Sequence, residues 1–221
     1  FYDNCATRPR DKIEESIAGK VIYPAKPQDG SRSFRDIVHQ YCKGHPWARF
    51  GIDLCIGSEA DRPITQRQMM FAPFYLMDAF AGAQIENDSI QRPLAEAARL
   101  IVDATPETDE SGWIFTPLQC ALLLFILTVG ATIYGIRRRT GLWGVDLFLF
   151  SAAGIVGCVL AFLAFFSEHP AVSSNFLLLV FHPGQLLFLP YIVYCVRKGK
   201  KCWYLTLNLV VLTLFIVLFP V

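Results

Sequence analysis

Residues 113–139 read WIFTPLQCALLLFILTVGATIYGIRRR, an uncharged run over 113–136 closed by three arginines. About 20 apolar helical residues cross the hydrocarbon core of a bilayer, so this stretch predicts a membrane span and sets the class of the chain. Towards the C-terminus three more such runs follow, over 146–166, 176–196 and 203–221. They lie late in the chain and in series, which excludes a secretory leader. Arg137, Arg138 and Arg139 follow the first run, and Arg197, Lys198, Lys200 and Lys201 follow the third. The loop between the second and third runs, SEHPAVSSN, has no Lys or Arg. By the positive-inside rule the two basic loops are cytoplasmic, and residues 1–112 lie on the opposite side. Trp113, Trp143 and Trp203 stand at run ends, where interfacial aromatic residues belong.

Towards the N-terminus the composition changes. Residues 1–112 hold 13 of the 20 Lys and Arg and 17 of the 19 Asp and Glu, so the overall charge of +1 averages a soluble-type half with a membrane half. Basic residues are not interleaved with aromatics, which argues against nucleic acid as a partner. Three of the seven cysteines (Cys120, Cys158 and Cys195) fall inside runs and read as small buried hydrophobes, while Cys202 sits at the cytoplasmic edge. Cys5, Cys42 and Cys55 face the oxidising side, where a Cys42–Cys55 disulfide is open but not fixed by spacing.

Asp3 and Asn4 are N-cap types, Ile13 and Ile17 have helical spacing, and Gly19 is placed as a stop, so a first helix begins within a residue or two of Cys5. Residues 23–32 read as a loop. Ser33 starts a second helix in SFRDIVHQYC, and 44–65 is broken by Gly and Pro and reads as irregular. Residues 66–80 predict an apolar helix interrupted by Pro73, either core or an interfacial lid. A short helix is expected over 95–103 and a polar linker over 105–112. Few strands are legible.

A thiol attacks as thiolate, and the exposed amides and positive dipole end of a helix N-terminus favour that form. Cys5 has this placement, with Arg8 and Arg10 near it. Cys–His chemistry also needs an oriented imidazole, and neither His39 nor His45 is singled out by spacing. The structural alternative is a small buried residue beside an Asx cap.

DNCATRPRD, SFRDIVHQY, GIDLCIGSEAD and MMFAPFYL, with the tail SEHPAVSSNFLLLVFHPGQLLFLP, resemble the Lnb-type lipoprotein N-acyltransferases of Gram-negative bacteria over essentially the whole chain. The chain as given reads as α-helical. The resemblance implies that residues 1–104 are the C-terminal part of an α+β papain-like, permuted NlpC/P60-type periplasmic domain, joined by a linker over 105–112 to a transmembrane helix bundle of the inner membrane over 113–221. It implies that Cys5 is the acyl-accepting nucleophile. Since the chain begins at Phe1, it also places the general base upstream of residue 1. The partners implied are a diacylated lipoprotein and a phospholipid or lipoprotein acyl donor, with no cofactor and no metal.

Asn4 or a nearby backbone N–H is the expected oxyanion partner. Arg8 and Arg10 are candidate substrate-binding residues because guanidinium forks suit phosphate and carboxylate; Asp61, with Asp53, is a candidate for orienting a substrate amine, and Asp3 is a further substrate-binding candidate. For the two arginines, ion pairs to Asp11, Glu14 or Asp61 are the structural alternative, and for Asp53 and Asp61 it is a fixed loop. His169, Asn175 and His182 are candidates because polar groups at or within a span are costly unless used; an interhelical hydrogen bond is the alternative. Pro183, Gly184 and Pro190 are expected to kink the third span. A membrane-anchored cysteine peptidase or amidase acting on cell-wall peptide, and a non-catalytic partner-binding protein, are the competing functions.

Overall fold

The computed structural model describes residues 2–25, 32–87, 90–102 and 114–219. In chain order the elements are α1 (Thr7–Ser16), β1 (Lys20–Ile22), α2 (Phe34–Tyr41), α3 (Pro46–Cys55), a 3-10 turn (Ser58–Asp61), α4 (Gln66–Met69), α5 (Pro73–Gly82), β2 (Gln84–Asn87) and β3 (Ile90–Pro93). The membrane half continues with α6 (Pro117–Arg138), α7 (Trp143–Phe166), α8 (Pro170–Ser173), a 3-10 turn (Phe176–Leu179), α9 (Gly184–Leu187), α10 (Leu189–Arg197) and α11 (Trp203–Leu218). The chain is mainly helical and divides into two compact units, Phe1–Gly44 with Ala60–Ser111, and His45–Glu59 with Gly112–Val221.

In the first unit, helix starts follow local capping chemistry. Ser33 Oγ accepts from Asp36 N while Asp36 Oδ2 accepts from Ser33 N, a reciprocal capping box that opens α2. Thr65 and Gln68 do the same for α4, and Pro73 begins α5 rather than interrupting a longer helix. Phe34 and Ile37 of α2 are buried, as are Met70, Phe71 and Ala72, with the rings of Tyr2 and Phe71 edge-on to Phe34. Residues 70–72 are therefore core, while Phe74 and Met77 of α5 are exposed. The strands form one antiparallel sheet, β1-β2-β3, with Val21 opposite Ile85 and Ile85 opposite Arg92.

Two sequence expectations change here. No helix forms over 95–102: the stretch lacks an N-cap residue, and Leu100, Ile101 and Val102 stay exposed, so no packing offsets the cost of helix nucleation. Residue 103 and the linker 105–112 lie outside the described residues. Residues 46–55, expected to be irregular, form α3, with Pro46 in the first turn, where a missing N–H costs nothing.

The second unit begins with α3, not at the membrane. Gly57 N donates to Ala171 O, Ser58 N to Ser174 O, and Trp47 Nε1 to Phe115 O. Residues 45–59, which the sequence assigns to the first domain, thus pack on the start of α6 and the loop after α7. The helices α6 and α7, of 22 and 24 residues, are long and apolar enough to cross a membrane. The third span, expected as one helix over 176–196, is instead broken and bent by 72° between Leu187 and Leu189, so it counts as a span only if the pair is taken together. Pro183 and Pro190 supply no N–H, and Pro190 fits only because it lies in the first turn of α10. Carbonyls freed by the break are recaptured: Leu186 N donates to Pro183 O, and the Gln185 side chain donates to Val180 O. The fourth expected span is α11, a shorter apolar helix of 16 residues.

Candidate functional site

Asn4 shapes the start of α1. Its Oδ1 accepts from both Ala6 N and Thr7 N at 2.9 Å, and its carbonyl accepts from Arg8 N at 3.1 Å. Asn4 therefore caps the turn that leads into α1, and Cys5 is the first residue of that turn, two positions before Thr7 and within the range the sequence predicts. Thr7, buried at 4% exposure, returns the contact by accepting from Asn4 N at 2.8 Å. Asn4 Nδ2 donates to Phe71 O at 2.8 Å, which ties this turn to the core.

Cys5 itself is exposed, between half-buried Asn4 and buried Ala6. Among the described residues neither its sulfur nor its backbone N–H has a hydrogen-bond partner, while the next two amides are engaged by Asn4. The arrangement leaves one free donor beside one free nucleophile. Arg8 makes a two-point bond to Asp3, Nε to Oδ1 and Nη2 to Oδ2, both at 2.6 Å and both exposed. That guanidinium holds the Asp3 carboxyl below the usual carboxylate range, and Asp3 in turn pushes Arg8 up.

The remaining candidates of this unit are engaged elsewhere. Arg10 is 7% exposed; it donates through Nε to Asp11 Oδ1 at 2.9 Å and through Nη1 to Arg67 O at 3.0 Å, the structural alternative for this residue. Asp61 takes a forked bond from Arg35 of α2. The structure thus brings Asp3, Asn4, Cys5 and Arg8 together, with Arg10 turned inward. All seven cysteines, Cys42 and Cys55 among them, are free thiols. Among the described residues no three His, Cys, Asp or Glu are grouped to hold a metal.

In the second unit Asn175 is 7% exposed and secures α3: its Nδ2 donates to Leu54 O at 2.8 Å and its Oδ1 accepts from Leu177 N at 3.0 Å. His169 Nδ1 accepts from Ala171 N at 3.2 Å and caps α8. His182 belongs to a polar cluster that sequence reading missed in part. Its ring lies edge-on to Tyr204, and the Gln185 side chain beside it donates to Asn208 Oδ1 at 2.6 Å and accepts from Tyr204 Oη at 3.1 Å. Gln185 and Asn208 stand inside apolar runs, which was the available signal. Gly157 of α7 admits this segment: a Cβ there would sit 2.5 Å from His182 N.

The model of the Lnb transmembrane domain matches residues 108–221. No curated protein and no solved structure matches the chain.

Proposed function

The chain belongs to the Lnb family, and from that premise we propose that it N-acylates the terminal cysteine of diacylated bacterial lipoproteins through a thioester on Cys5. The observation that supports this reading is the exposed, first-turn sulfur held by Asn4 in a chain that also carries this membrane domain.

In the first half-reaction the Cys5 thiolate attacks an ester carbonyl of a phospholipid, or of a lipoprotein's diacylglyceryl group. The C–S bond forms, the C–O bond breaks, and the alkoxide leaves with a proton as the lyso product. In the second, the free α-amine of the lipoprotein cysteine attacks the thioester; the C–N bond forms, the thiol is restored, and the amine gives up one proton. The free Cys5 N–H is the preferred oxyanion donor, since Asn4 is engaged in holding the turn. Arg8, backed by Asp3, is the group to meet a phosphate or carboxylate of the arriving substrate. The proton of the thiol goes to a base that the described residues do not hold against the sulfur. The reading includes a permuted papain-like setting for residues 1–104. It also includes a place in the inner membrane with residues 1–112 in the periplasm, which the cation-poor loop 167–175 and the two basic loops support. Both reactants keep their acyl chains in a bilayer, which is what a membrane domain serves.

The test supplies the full-length protein with a diacylated lipoprotein and phospholipid and reads the mass of the N-terminal lipopeptide. The expected result is a gain of one acyl group that is lost in Cys5→Ala. An unchanged lipopeptide alongside cleaved cell-wall stem peptides would identify an amidase instead. Full activity in Cys5→Ala would remove the nucleophile assignment.

A further inference from the structure

We propose that the end of the membrane unit bearing the basic loops holds an anionic phospholipid, seated between α7 and α10 with its phosphate at Arg197 and Lys198. A groove of about 700 Å³ lies there, walled by Leu147, Pro190, Val193 and Tyr194 and rimmed by Arg197 and Lys198. Its size falls within the range of about 300–1,000 Å³ that suits small-molecule and lipid ligands. Apolar walls ending in cations match a glycerophospholipid, tails along the helices and head at the rim.

The cations are held in place. The Arg197 guanidinium lies over the Trp143 ring, 5.4 Å from its centroid. Lys200 Nζ lies 5.1 Å from the Tyr194 centroid and donates to Tyr194 Oη at 3.0 Å. The backbone beneath them is closed by a left-handed turn at Gly199 (φ 60°), with Lys200 N donating to Cys195 O at 2.9 Å and Gly199 N to Val196 O at 3.2 Å. Buried Cys195 and Cys202 anchor the loop at both ends. Charge balance points to an anion as well. Asp146 and Glu168 are the only acidic side chains after residue 112, and among the described residues neither forms an ion pair with these cations. A free phosphate would satisfy the rim but leave the apolar walls uncovered; the lipid covers both.

The test titrates the purified full chain, in neutral detergent, with an equimolar mixture of dioleoyl phosphatidylglycerol and dioleoyl phosphatidylcholine, and counts retained lipids by native mass spectrometry. Each cation near an anionic head is worth about fivefold in affinity, so the phosphatidylglycerol preference is expected at roughly 25-fold. It should fall close to one in R197Q/K198Q, which keeps most of each side-chain stem. It should survive in R137Q/R138Q/R139Q, which removes three charges, one more than the double variant, from the other basic loop; circular dichroism verifies helix content in both. Equal retention of the two lipids by the unaltered chain would overturn the proposal. So would a preference that persists in R197Q/K198Q, one lost in the triple variant, or full displacement of the lipid by inorganic phosphate.

Discussion

Replacing Asn4 with alanine removes the acceptor for two amides and the link to Phe71 O. Loss of an N-cap of this kind costs about 1 kcal/mol, and a displaced sulfur is expected to lower the proposed acyl transfer by roughly 100-fold. Asn4→Asp separates the two effects. It keeps the cap and most of the stability but sets a negative charge beside the sulfur, so thermal unfolding should recover while transfer does not. Exposure gives a second check: a water-soluble maleimide should modify Cys5 in the native protein and leave buried Cys195 and Cys202 untouched until denaturation, read by peptide mass. Sequence alone placed Cys5 at a helix start, because N-capping is written in adjacent residues. It could not choose between the two readings of Arg10, nor find Arg35 as the partner of Asp61, because those outcomes depend on which faces of separate elements pack together.

Between elements, the strongest constraint is the approach of α7 to the broken third span. A side chain at position 157 has no room beside the His182 backbone, so Gly157→Leu is expected to destabilise the second unit by about 1–3 kcal/mol, measured by thermal unfolding in detergent. Gln185→Ala leaves Tyr204 Oη and Asn208 Oδ1 without their partner and should cost a similar amount. In the first unit, Arg67 bonds both oxygens of Glu14 at 2.8 Å and Tyr23 Oη donates to Glu14 Oε1 at 2.6 Å. The Arg67 bonds foremost hold Glu14 below its ordinary value of 4.5. The stabilisation is therefore complete above that value and is lost as pH falls through the lowered one. Unfolding followed from pH 6 to pH 3 should show a decline that Glu14→Gln flattens. Long apolar runs and cap motifs made α2, α6 and α7 legible in advance. The three strands were not, since they are only 3 or 4 residues long and β1 pairs with a partner more than 60 positions away.

For the molecule as a whole, contacts within the second unit bring the two basic loops to one end: a Cβ on Gly141 would meet Val196 at 2.8 Å, and Arg197 stacks on Trp143. On the proposed orientation, a membrane-impermeant thiol reagent should reach Cys5 in intact spheroplasts, while a cysteine introduced at Thr140 should react only after lysis; labelling of both from outside would overturn that orientation. The composition change near residue 112 and the division into compact units fall at different places, because α3 carries a soluble-looking composition and joins the second unit through backbone bonds that leave no trace in hydropathy. This bears on how the protein is to be produced in pieces. A clone ended at residue 112 strands Leu54, Gly57 and Ser58 without Asn175, Ala171 and Ser174, and one begun there deprives Phe115 of Trp47. Each truncation leaves a raw edge, so aggregation of either fragment would report on where the knife fell and not on whether the whole chain folds.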